Sequence, residues 1–238
     1  MKTTALLATV LVALLSWPVT GFAAVTTLAT TNPAEIATFQ AGATIVTFEG
    51  IPGITAFHNQ TPGTDVPAGA LLKNQVTGLT FFSNAFEGPY VLDLTGFGNA
   101  GDAHSPPNVL AGTEPGGNLE PVVCFTCFIE IRFANPVSRV GAFNDPTGSR
   151  IQLLATDAGG GTTFGSVFAN QGQFVGVDTG VNNIERALFQ FIQTQSVLGF
   201  SLDDLTFARA VTTTVPEPGT FLVIGAGLVG LAALRRRR

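Results

Sequence analysis

The only two thiols in the chain stand three residues apart, in Cys124-Phe125-Thr126-Cys127. Such a pair can close a disulfide, stay reduced, or ligate a metal. In an exported chain the default is a disulfide. Residues three apart on a regular strand face opposite sides, so joining Cys124 to Cys127 requires a turn or bulge at Phe125-Thr126. A zinc site needs four ligands, and only His58 and His104 are available to complete one. Thioredoxin-like redox chemistry needs a strand-helix setting, which the flanking residues do not offer. With two histidines and no nucleophile elbow, hydrolase signatures are missing. Glycoside hydrolysis asks only for two carboxylates flanking a sugar, and nothing in the spacing of the 16 acids singles out a pair. The residues therefore read as those of a non-enzymatic protein, with a polysaccharide-acting enzyme as the weaker alternative.

One nucleotide-type motif also fails on context. Gly225-Ala226-Gly227-Leu228-Val229-Gly230 has the spacing G-x-G-x-x-G. A dinucleotide site places that turn between a strand and a long helix, with an acid about 20 residues on. Only eight residues follow Gly230, and four are arginines. These glycines instead suit close helix packing inside a membrane.

The motif sits within a tail of three parts. Val215-Pro216-Glu217-Pro218 forms a stiff stalk, since prolines stop a helix from running back into the body. Phe221 to Leu234 is apolar and rises about 21 Å at ~1.5 Å per residue, short of a ~30 Å hydrocarbon core. Arg235, Arg236, Arg237 and Arg238 then hold the C-terminus in the cytoplasm. A short, glycine-containing span makes a poor permanent anchor and a good temporary one.

This tail resembles the PEP-CTERM sorting signal of exported bacterial proteins. The resemblance implies recognition by an exosortase, a membrane cysteine protease, and cleavage near the Pro-Glu-Pro. It implies delivery to the cell surface or the exopolysaccharide matrix of a Gram-negative bacterium. The front of the chain agrees. Lys2 supplies a positive start, Ala5 to Leu15 an apolar run, and Gly21-Phe22-Ala23 small residues at a cleavage site. Residues 1–24 thus read as a signal for the secretion machinery, removed by signal peptidase after Ala23 or Ala24.

Between these ends the composition is that of an all-β domain. The chain is 45% hydrophobic and 11% charged, with 28 glycines and 20 phenylalanines; the charged fraction is under half the usual ~25%. Residues 24–216 hold six bases against fifteen carboxylates, a net −9. Such a surface repels phosphate backbones, so a nucleic-acid partner is not expected. Asn32-Pro33 marks a short helix over Glu35–Gln40, after an extended or mobile leader at Val25–Thr31. From Thr44 the period is two, and turn clusters separate ten candidate strands. Gly96 to Pro121 reads as a flexible crossing or a binding loop.

Boundaries follow: signal 1–24, leader and helix 25–43, sandwich 44–209, linker 210–214, sorting tail 215–238. The fold class is an antiparallel, jelly-roll-like β-sandwich flanked by a signal helix and a C-terminal hydrophobic helix. In the last strand, Phe200 and Leu202 alternate out of phase with Leu205 and Phe207, and a bulge at Asp203-Asp204 would return both pairs to one face.

The order of landmarks from Arg150 to Phe207 resembles the second half of jelly-roll modules of the carbohydrate-binding type. That resemblance implies a structural calcium between an acid near the first strand and acids near the last, here Glu49 with Asp203 and Asp204. Calcium takes six to eight oxygens, so loop carbonyls would complete the set. Sugar stacking favours Trp and Tyr. The sole Trp, Trp17, lies in the signal, and the sole Tyr is Tyr90, which weakens a lectin reading. The expectation is a structural or matrix-associated surface protein, with a calcium-stabilised carbohydrate-binding module as the alternative and exopolysaccharide as a candidate partner.

Overall fold

Runs of β-branched and aromatic residues, punctuated by glycine turns, pair into two antiparallel sheets in the computed structural model. The structure describes residues 24–54, 72–83, 88–97, 104–112, 128–144, 150–192 and 201–210. Its strands are β1 (Thr26–Thr30), β2 (Thr44–Val46), β3 (Leu79–Ser83), β4 (Tyr90–Asp93), β5 (Asn108–Ala111) and β6 (Phe128–Val137). Then come β7 (Arg139–Asn144), β8 (Ile151–Thr156), β9 (Thr163–Ala169), β10 (Phe174–Asp178), β11 (Ile184–Phe191) and β12 (Ser201–Ala208). One helix, α1 (Pro33–Gln40), precedes β2.

The first sheet runs β1-β10-β7-β12-β5-β4, with β2 also on β12; the second runs β3-β6-β11-β8-β9. Inward side chains alternate along each strand, as the period of two requires. From the second sheet come Phe81, Ile129, Ile131, Leu153 and Phe189; from the first come Val140, Val175, Leu202 and Leu205, all fully buried. Each such side chain contributes roughly 1.5–3 kcal/mol of burial. Ala23–Ala210 forms one compact unit.

Helix α1 starts as expected. Asn32 Oδ1 accepts the Ala34 N–H at 3.0 Å, and Pro33 takes the first turn. The helix lays Ile36 and Phe39 on Phe143 and Phe174, forming a second apolar cluster on the outer face of the first sheet. Two glycines make room for it. A Cβ on Gly141 would stand 2.7 Å from the Phe174 ring, and one on Gly176 would stand 2.6 Å from the Phe39 ring.

The structure differs from expectation in three places. The leader supplies an edge strand, β1, which pairs with β10 from Thr26↔Asp178 to Thr30↔Phe174. The Gly/Pro-rich segment contains β5, paired with both β4 and β12. Strand β6 runs through Pro136 to Val137; the proline lies where the ladder to β11 skips between Ile184 and Arg186, so no ladder bond is lost. The expected bulge is present. Asp203 pairs with Phe143 and Thr206 with Gly141, three steps on β12 against two on β7. Leu202, Leu205 and Phe207 consequently share the core. Phe200, the signal helix and the C-terminal helix lie outside the described residues. Among the described residues, no helix is long and apolar enough to cross a membrane.

Candidate functional site

The bulge is also where β12 changes neighbours. On one edge, Ser201 and Leu202 pair with β5, whereas Leu205 to Phe207 pair with β2. Between these partners the ladder breaks at Asp203-Asp204. Asp204 adopts φ 48°, the left-handed region that aspartate tolerates better than most residues. A break in a buried sheet leaves backbone donors that must find other acceptors.

Carboxylates supply them. Asp203 Oδ2 accepts the Ser105 N–H at 2.6 Å, and Oδ1 accepts the Asp204 N–H at 2.7 Å. Ser105 Oγ stands 2.9 Å from Asp203 Oδ1 and 2.8 Å from Asp204 Oδ1. One hydroxyl proton is thus shared between two acids. His104 Nδ1 lies 2.6 Å from Asp204 Oδ2, and its ring stacks on Phe143 with centroids 3.5 Å apart. Beside them, Glu49 Oε1 accepts the Asn108 N–H at 3.0 Å, and the Asn108 amide donates to the carbonyls of Phe48 and Ile51. Phe48 sits at φ 66° with its ring in the core, which turns the chain so that Glu49 reaches β5.

The electrostatics follow from this crowding. Burial pushes the Asp203 carboxyl up to about 6, with the Asp204 charge adding to it and the Ser105 hydrogen bonds opposing it. Burial also raises Glu49, helped by the charges of Asp93 and Asp204 and opposed by the Asn108 N–H. The arrangement acts as a polar staple, tying the segment before β5 to the bulge of β12. The Ser105 hydroxyl is held by both carboxylates, and His104 faces Asp204.

The three acids named from the sequence are therefore neighbours in space, and Asp93, Ser105, Asn108 and His104 join them. No sequence signal marked Asp93, Ser105 or Asn108, and His104 was noted only as a possible zinc ligand, because the contacts arise from strand pairing. Among the described residues, no three His, Cys, Asp or Glu side chains are grouped so as to hold a metal ion. Both Asp203 oxygens already face N–H or O–H donors. Cys124, Cys127, His58 and the tail residues Val215 to Pro218 and Arg235 to Arg238 lie outside the described residues.

Comparison with known proteins bears on the tail. The family model of the PEP-CTERM protein-sorting motif matches residues 214–238. The chain carries a PEP-CTERM sorting motif. A PEP-CTERM tail implies an exported, sorted surface protein, processed by an exosortase and the secretion machinery. No curated protein matches the chain. Among solved structures, the K2 cleaved adhesin domain of Lys-gingipain is similar at 14% identity and a TM-score of 0.40, covering 70% of this chain and 99% of that one.

Proposed function

We propose that this is a non-enzymatic surface protein, sorted through its PEP-CTERM tail to the cell surface or exopolysaccharide matrix, where the sandwich serves as a structural or matrix-associated body. The match at residues 214–238 carries the reading. The tail holds the exported chain temporarily in the inner membrane with its arginines in the cytoplasm, and the exosortase releases the body outward. The staple supports a structural role, since its acids serve the fold's own N–H groups. The reading is tested by replacing Pro216, Glu217 and Pro218 with alanine. The variant should accumulate in the membrane fraction as an uncut precursor, whereas normal release of the variant would defeat the reading.

A second reading is a calcium-stabilised carbohydrate-binding module using Glu49, Asp203 and Asp204. One observation supports it: Glu49 is crowded by the like charges of Asp93 and Asp204, and a divalent cation would relieve that repulsion. Binding would require Asp203 or Asp204 to give up part of its hold on Ser105. Chelation of calcium should then lower the melting temperature; an unchanged melt would dismiss the site.

A further inference from the structure

Helix α1 leaves part of the first sheet uncovered, and the gap is a cleft of about 490 Å³, inside the roughly 300–1,000 Å³ range of small-ligand sites. Its shape follows from register, because directly paired residues on neighbouring strands share a face. On the outer face, Thr26, Asp178 and Arg139 form one cross-strand row, and Leu28, Gly176 and Gly141 form the next. The two glycines add no side chain, so the second row sinks beside the first. Leu28 and Phe39 give the cleft an apolar wall, and Glu35 lines it from the helix. Structural duties leave two of its polar groups unspent. Glu35 stands three residues after the cap, where a glutamate ordinarily reaches back to the cap's N–H. Here Thr30 Oγ1 accepts that Asn32 N–H at 2.9 Å instead. Among the described residues, the Glu35 carboxylate has no hydrogen-bond partner. Asp178 Oδ1 accepts the Gly180 N–H at 2.8 Å, and its Oδ2 has no partner among the described residues. Arg139 is the committed group: one Nη donates to the Ala41 carbonyl, and the guanidinium lies 5.9 Å from the centre of the Phe39 ring. Among the described residues, neither acid forms an ion pair with it.

We propose that this cleft binds an amino-sugar residue of the matrix polysaccharide, its ammonium between Glu35 and Asp178 and its ring against Leu28 and Phe39. Charge complementarity selects the occupant. Two uncommitted carboxylates against one committed guanidinium favour a cation. The apolar wall asks for a carbon skeleton beside that cation, which a bare metal ion lacks. A protonated amino sugar carries both. At the rim, Thr38 Oγ1 donates to the Ala34 carbonyl at 2.8 Å and keeps its lone pairs for a sugar O–H. Recognition led by charge needs no Trp or Tyr platform. The proposal rests on the matrix reading and names the sugar.

The test is calorimetric titration of the full chain in detergent with the glucosamine dimer, at mildly acidic pH so that its amines are protonated. Binding should be saturable, and weaker by about tenfold or more for the N-acetylated dimer, for cellobiose and for tetralysine. The Glu35→Gln/Asp178→Asn double variant should lose about tenfold or more in affinity with a nearly unchanged melting curve, since asparagine keeps an acceptor for the Gly180 N–H. Glu185→Gln, which removes an acid from β11 instead, should bind like its parent. Absence of binding, or equal binding by the acetylated dimer, cellobiose, tetralysine or the double variant, would each overturn the proposal. Should the double variant unfold, the ligand series on the unaltered chain still decides. Because the assay uses purified protein, its failure leaves the sorting reading standing, and a sorting failure would not alter its result.

Discussion

The two sheets use charge in opposite ways. At the end of the first sheet, Glu49, Asp203 and Asp204 turn inward and accept N–H and O–H groups that a broken ladder leaves over. On the outer face of the second, one buried acid is outnumbered by guanidiniums that stay at the surface. The first arrangement serves the fold. The second keeps its charges nearer the surface, where Arg132 and Arg186 share the single carboxylate of Glu130. A cluster of titratable groups is evidence of binding only after the groups' structural duties have been subtracted.

Breaking the staple should give the largest effect. Asp203→Ala leaves the Ser105 and Asp204 N–H groups without their acceptor and should cost roughly 4 kcal/mol at pH 5, read from urea denaturation. Acidity sharpens the same point. Asp203 takes up its proton near pH 6 in the folded chain, against a usual value of about 4. The folded state therefore binds the proton more tightly. Its contribution to stability should be full below about pH 4, fall by roughly 3 kcal/mol as the pH rises through 6, and level off above. Asp203→Asn should flatten that slope, and a slope that survives the substitution would remove Asp203 from the account.

On the opposite sheet the effects should be smaller, because its ion pairs are partly open to water. Glu130→Gln should cost roughly 2 kcal/mol, less than a fully buried pair would. A larger loss than for Asp203→Ala would reverse the comparison. The mildest change expected is Gly176→Ala, whose Cβ meets the end of the Phe39 ring. It should cost about 1 kcal/mol by overpacking, seen as a small drop in melting temperature.

Much of the fold could be read from residue order, for reasons that differ element by element. The bulge at Asp203-Asp204 was legible because Leu202, Leu205 and Phe207 are all apolar, and only an inserted residue lets them share a face. The helix cap at Asn32-Pro33 was legible because capping is local. Strand β5 was hidden: four residues directly after Pro106-Pro107 carry no period, and their pairing is decided by β4 and β12, which are distant in sequence. Strand β1 was hidden for a related reason. Thr26–Thr30 buries little beyond part of Leu28, so it shows no apolar alternation. In the site, the acids stood out by charge. Ser105 and Asn108 did not, since a lone serine or asparagine in a loop carries no pattern and their partners are distant in sequence.

Mass spectrometry of intact protein collected from the cell exterior bears most directly on the idea of a sorted surface body. The polypeptide should begin just past Ala23 or Ala24 and stop near Pro216–Pro218, lacking its terminal arginines. Recovery of an uncut chain, Met1 through Arg238, from the cytosol would contradict it.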